Sequence, residues 1–285
     1  MNSFFKTIGT SLAVGALLLS GTIGWMSNPG VVSAATSTAV TADQMISKVT
    51  AASKAIKNFH LDVTKKQDIQ SGGVRISNTN TLKLDISRLP NFAAAGTVAS
   101  SLLETSYSLY ANDKEFYYLV DGSELIDESE DDSSGYDDDG EPIDPDAQYW
   151  LGLEKTEWDA FYSKGQYDPV SMLDSVKSYK KSMKVSTAGA QTVLQFTVTD
   201  PTAAKGIIKL YDQENLWDGE TVQPKSVTWK LFVNTKTWQT EKLTVDLSYV
   251  LVSDGAKDTY TTKIEAKYSK NNKGTAIVKP AELEK

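Results

Sequence analysis

From Val227 to Tyr268 the chain places apolar side chains on every second position through three successive runs, and this pattern limits the fold more than any other feature. Val227, Trp229, Leu231 and Val233 make the first run, before a turn at Asn234-Thr235-Lys236. Leu243, Val245, Leu247, Tyr249 and Leu251 make the second, before Ser253-Asp254-Gly255. Tyr260, Thr262, Ile264, Ala266 and Tyr268 make the third, against Thr259, Thr261, Lys263, Glu265 and Lys267. Side chains alternate between the two faces of a strand, so each run is a strand with one covered and one wet face. A slip of one residue would turn the whole apolar row to water, which fixes the register. Short turns make the three strands an antiparallel meander, and its apolar side needs a cover.

The cover is found upstream. Thr41-Ala42-Asp43-Gln44 is a capping box, in which the Thr41 hydroxyl and the Gln44 amide satisfy free backbone N–H groups. Met45, Ile46, Val49, Ala52, Ile56 and Phe59 follow at helical spacing, which predicts a helix from about 42 to 57. Asp168-Pro169 and Asp200-Pro201 each place a capping aspartate before a proline, which suits the first helical position. They predict one helix to about Lys181, with a stripe of Met172, Leu173, Val176 and Tyr179, and another with Ala204, Ile207, Ile208 and Tyr211. Between these lie more strands: Leu61 and Val63; Leu82, Leu84 and Ile86 after a turn at Ser71-Gly72-Gly73; Tyr107–Ala111 and Glu115–Val120 around Asn112-Asp113-Lys114; and Val185 with Leu194, Phe196 and Val198. Ala93–Leu103 is small and weakly patterned and reads as a linker or loose helix. The expected class is α+β, a curved antiparallel sheet with about three amphipathic helices over its concave face.

The start of the chain reads as an address. A cationic opening, the apolar stretch Ile8–Met26, the helix break at Asn28-Pro29-Gly30 and small residues at Val32-Ser33-Ala34 predict a signal peptide over 1–34, removed on secretion. Residues 35–285 are then expected to form one extracellular or envelope-associated domain of about 250 residues, a length that suits a large β fold. There is no cysteine, so disulfides and lipidation of an N-terminal cysteine are excluded and stability rests on burial. Residues 121–146 hold 13 acidic side chains and no Lys or Arg. Like charges at this density predict a disordered loop. The rest of the mature chain has 28 basic side chains against 24 acidic ones, without the clustered cationic stripe that nucleic acids require.

The order of elements resembles the bacterial lipoprotein-carrier superfamily (LolA-like and LppX-like proteins), and within it a branch of secreted or lipid-anchored Gram-positive proteins. The likeness is carried by the Thr41–Phe59 opening, the Asp168-Pro169 and Asp200-Pro201 helices, and Lys267-Tyr268-Ser269-Lys270-Asn271 followed by Ile277-Val278-Lys279-Pro280. It implies an unclosed β half-barrel whose apolar cavity takes acyl chains from a lipid or an acylated protein, with no cofactor. This chain differs in lacking the cysteine that anchors many relatives and in carrying the acidic insertion.

Catalytic chemistry is sparse. His60, the only histidine, falls on the polar side of its strand with Asp62 and Thr64. No GxSxG, Walker or GxGxxG motif follows a strand, so no enzyme and no catalytic residue is expected. Asp137 and Asp139 match an EF-hand loop poorly and offer at most weak calcium ligands. The candidate lipid-binding residues are therefore the apolar strand rows: Leu82, Leu84, Ile86, Leu194, Phe196, Val198, Trp229, Leu231, Leu243, Val245, Leu247 and Tyr249. Trp150, Trp158, Phe161, Tyr162 and Trp217, on less regular segments, are candidates for the rim of a pocket. The same rows would also serve as an ordinary core. The second reading is thus a monomeric envelope-associated interaction protein with a filled interior, touching wall polymers or a partner through its basic body and acidic loop.

Overall fold

The computed structural model describes residues 40–126, 142–212, 220–253, 256–274 and 276–284. The signal peptide, most of the acidic run with Asp137 and Asp139, and Trp217 lie outside the described residues. Helix α1 (Ala42–Lys54) opens the chain behind the expected capping box. Six strands follow: β1 (Asn58–Ser71), β2 (Val74–Ser87), β3 (Ala93–Ser100), β4 (Thr105–Asn112), β5 (Phe116–Asp121) and β6 (Gln148–Gly152). The short helices α2 (Lys155–Phe161), α3 (Lys164–Tyr167) and α4 (Ser171–Ser175), with a 3-10 turn over Lys177–Ser182, lead to β7 (Lys184–Ala188) and β8 (Gln191–Val198). Helix α5 (Pro201–Tyr211) precedes the long meander β9 (Thr221–Asn234), β10 (Thr240–Ser253) and β11 (Ala256–Ser269).

Among the described residues all eleven strands join one open antiparallel sheet in the order β6-β5-β4-β3-β2-β1-β11-β10-β9-β8-β7. The chain therefore starts in the middle, walks outward to one edge, crosses to the other edge and walks back until β11 meets β1. The crossing is the segment between β6 and β7. It must traverse the full width of the sheet, and it does so on the concave side, where α2, α3 and α4 pack into the same apolar cluster as the strands. Each of these helices is too short to be stable alone, so its conformation depends on that packing.

Local chemistry explains the turns. Gly72 and Gly73 take φ of +55° and +86°, the left-handed values of a two-residue hairpin between β1 and β2. In the meander, Leu243 stands opposite Leu231 and Ala266, so the alternation seen in sequence becomes register.

Three expectations need correction. Ala93–Leu103 is not a linker or loose helix: Ala93–Ser100 is a full strand, hydrogen-bonded on both sides. At Gly96 the β2 backbone lies too close for any side chain. A Cβ on Gly96 would stand 1.8 Å from the Lys83 carbonyl oxygen and 2.9 Å from the Leu84 Cα. The Asp168-Pro169 helix does not run to Lys181. It stops after Ser175, Val176 breaks the geometry at φ −102°, ψ 7°, and a 3-10 turn continues to Ser182. The stripe still works, since Met172, Leu173 and Val176 are buried and Tyr179 stacks on Phe196. Helix α1 ends at Lys54, releasing Ile56 and Phe59 to enter the core from a turn and a strand.

Candidate functional site: the roofed concave face

The floor of the site is the concave face of the sheet. One apolar row crosses eight strands, from Leu194 through Leu231, Leu243, Ala266, Val63, Leu82 and Val98 to Tyr107. The neighbouring row runs through Phe196, Trp229, Val245 and Ile264 and ends at Lys65. All twelve strand residues proposed from sequence share this face, and none is more than 7% exposed. Burial of each large apolar side chain contributes about 1.5–3 kcal/mol, so the floor also holds the molecule together.

The roof is the β6–β7 crossing with α5. A chain of ring contacts threads it from edge to floor. Phe116 stacks on Trp158 at 5.7 Å between centroids, Trp158 meets Tyr162 at 6.1 Å, Tyr162 meets Tyr167 at 6.4 Å, and Tyr167 meets Tyr211 at 6.3 Å. The Trp229 indole N–H then donates to the Tyr211 hydroxyl at 3.2 Å, tying roof to floor. Such rings supply large contact area, and their offset and tilted pairings add to it. Burial pushes the phenol groups of Tyr162, Tyr211 and Tyr268 well above the ordinary tyrosine range. The nearby Asp168 charge reinforces this at Tyr162 and Tyr268.

Two polar clusters fasten the roof. Asp168 accepts from the Val170 and Ser171 backbone N–H groups at 3.0 and 2.9 Å, the capping role read from sequence. Its other oxygen meets the Arg88 guanidinium at 2.5 Å, where both side chains are largely buried. Arg88 also donates to the Ser53 and Ile56 carbonyls at the end of α1. One arginine thus ties α1, β2 and the crossing together. Asp212, fully buried just after α5, is the second cluster. It meets the Lys65 ammonium at 2.5 Å and accepts from the Tyr249 and Thr262 hydroxyls at 2.7 and 2.8 Å. These donors sit where the apolar rows end, so the floor is greasy in its middle and polar at one end. Nearby Tyr260 stacks on Tyr249, and burial, with Asp258 next in effect, pushes its phenol up to about 12.

A cleft opens at the edge of the roof, with two lobes that share Phe92, Tyr162 and Lys164. The larger lobe, about 320 Å3, is walled by Phe92, Phe116, Trp158 and Tyr162 and rimmed by Lys155, Asp159 and Asp113. The smaller, about 220 Å3, is walled by Arg88, Asp168, Ser171 and the shared residues. Lys164 lies over the Phe92 ring at 5.1 Å, where the two lobes meet.

Of the rim residues proposed from sequence, Trp158 and Tyr162 line this cleft and Phe161 is partly buried against the core. Trp150 stands opposite Leu119, out of phase with the Tyr118–Leu151 pair that shares the concave face with Leu109. His60 is on the wet face, with Nδ1 2.8 Å from an Asp85 oxygen. Phe92, Phe116, Arg88 and Lys164 belong to the site and were not singled out in the sequence. They meet through partners far along the chain, which the local pattern does not mark.

A family model described as a family of unknown function (DUF6612) matches residues 138–285. No curated protein matches the sequence. Among solved structures, the chain is similar to the lipoprotein LppX of Mycobacterium tuberculosis, at 12% identity and a TM-score of 0.41, over 82% of this chain and 96% of that one. It is also similar to LprF of Mycobacterium bovis, at 12% identity and a TM-score of 0.39, over 84% and 97%. A LolA superfamily protein of Nitrosomonas europaea matches at 9% identity and a TM-score of 0.23, over 86% and 97%.

Proposed function

The chain belongs to the DUF6612 family, and from the geometry of its roofed sheet we propose that it is a secreted lipid-binding protein of carrier type, acting outside the cell or at the envelope as one domain over residues 35–285. It holds an acyl chain between the sheet and the β6–β7 crossing, by the hydrophobic effect alone and with no chemical step. One observation carries the reading. The continuous apolar floor is covered by the short helices of the β6–β7 crossing and by α5, seated by ring stacking and a few polar ties, with no strand pairing between roof and floor among the described residues. Such a cover can lift as a unit while the strand ladders beneath it stay intact. The larger lobe of the cleft, at about 320 Å3, lies at the lower end of ligand-pocket volumes, roughly 300–1,000 Å3, and gives the chain its point of entry.

The test is mass spectrometry of an organic extract from protein secreted by its own host and purified without detergent. An acyl lipid in near-stoichiometric amount supports the reading. Its absence, together with failure of the protein to take up an added fluorescent fatty acid, contradicts it.

A second reading is favoured by the near-complete burial of the twelve floor residues, as in a core that needs no ligand. The molecule would then act through its surface, touching an envelope polymer or a partner. Deleting residues 123–144 separates the two, since acyl uptake survives this deletion in a carrier whereas an interaction made by the acidic run is lost.

A further inference from the structure

We infer that the two-lobed cleft at the roof edge takes an anionic, single-chain amphiphile, with its charged head beside Lys164 in the smaller lobe and its chain along the rings of the larger one. The inference rests on the proposed lipid binding and adds to it the class of head group.

The lobes differ in chemistry in a way that suits a molecule with two unlike ends. The larger is walled by four aromatic rings, of which Phe92, Trp158 and Tyr162 are buried and aligned by the contacts Phe92–Tyr162 at 5.9 Å and Trp158–Tyr162 at 6.1 Å. Of its charged side chains, Lys155 is held by Asp159 at 2.5 Å, and Asp113 is turned to the Phe92 backbone N–H at 3.1 Å. The smaller lobe carries two cations and one anion, Arg88, Lys164 and Asp168. Asp168 is committed to Arg88 and to the three donors of its own capping turn, two backbone N–H groups and the Ser171 hydroxyl. That leaves Lys164 as the cation of the smaller lobe that this carboxylate does not hold. Among the described residues Lys164 makes no ion pair, and its ammonium lies over the Phe92 ring at the junction of the lobes. A ring face on one side and open cleft on the other orient this cation toward whatever enters. A carboxylate or phosphate there gains a charge-assisted contact that a neutral head cannot make, while its chain continues across Phe92 and Tyr162 toward Trp158.

The experiment is calorimetric titration of the secreted protein with amphiphiles sharing one chain, below their micelle concentrations: dodecanoate and dodecyl phosphate as anions, monododecanoyl glycerol as the neutral counterpart. Inorganic phosphate and acetate are the chainless arms. Lys164 is solvent-exposed, so the expected preference for the anions is roughly three- to tenfold in Kd. Lys164→Gln equalises anionic and neutral binding, Lys164→Glu reverses the order, and Lys230→Gln on the wet face leaves the preference intact. Equal binding of the two classes to the unaltered protein, or a preference that survives Lys164→Gln, overturns the inference and leaves lipid binding standing. Inorganic phosphate binding as tightly as dodecyl phosphate also overturns it, because the tail lobe would then contribute nothing. If no amphiphile of either class binds, the proposed function falls with it.

Discussion

Replacing Arg88 by Met should loosen the roof. Its guanidinium lies 2.5 Å from Asp168, with the side chains 16% and 6% exposed, so the pair is nearly dry. Breaking a buried pair from one side costs about 3–5 kcal/mol, because the remaining charge stays behind without its partner. Here Asp168 keeps three donors on its other oxygen, which moves the cost toward ~3 kcal/mol. The methionine keeps the packing of the stem. For a chain of this size that loss lowers Tm by about 6–12 °C. The assay is urea unfolding of the single variants Arg88→Met and Asp168→Asn and of the double variant. If the tie works as described, the double variant loses less than the sum of the singles, with a coupling of about 1–3 kcal/mol. Additivity within about 0.5 kcal/mol, or an Arg88→Met cost below about 1 kcal/mol, would refute the view that this pair fastens the crossing to the sheet.

Gly96→Ala should destabilise by several times the usual ~1 kcal/mol of a point substitution, since its Cβ would overlap the Lys83 carbonyl. Gly189→Ala, where nothing lies within 4 Å and only the φ of +61° is strained, should cost far less. Chemical denaturation of both compares them. Alkaline titration tests the buried phenols. Burial raises the folded-state pKa of Tyr162, Tyr211 and Tyr268 above the unfolded value near 10, so the folded chain holds protons that the unfolded chain releases. Stability from these groups is therefore complete below pH 10 and falls as pH rises above it. Phenolate absorbance should show Tyr162, Tyr211 and Tyr268 ionising only as far-ultraviolet dichroism is lost, and free titration of all 13 tyrosines near pH 10 in a folded protein would contradict the burial.

The meander was legible because its strands alternate large apolar side chains with Thr, Lys and Glu, a contrast that survives without coordinates. The caps were legible too: Thr41, Asp168 and Asp200 act within three residues of themselves. What escaped was set by partners distant in sequence. Strand β3 carries little alternation because Gly96 answers to the β2 backbone pressed against it and its alanines contrast weakly with their polar neighbours. The crossing broke into short helices because it must follow a curved floor rather than its own period. The Arg88–Asp168 tie joins residues eighty positions apart, and neither carries a mark of the other. The floor residues could be named in advance, whereas the cleft could not, since Phe92, Phe116 and Lys164 converge from three separate segments, a loop, β5 and α3.

The claim that the β6–β7 crossing is a separable roof over a greasy floor is tested most directly by hydrogen–deuterium exchange of the secreted protein with and without dodecanoate. Short helices seated by side chains open at lower free energy than strands laddered on both sides. Amides of residues 155–182 should therefore exchange well before those of β1, β10 and β11, and added dodecanoate should change protection in that segment while leaving those strands as they were. Equal protection of crossing and central strands, unaltered by the amphiphile, would mean that roof and floor form one solid core.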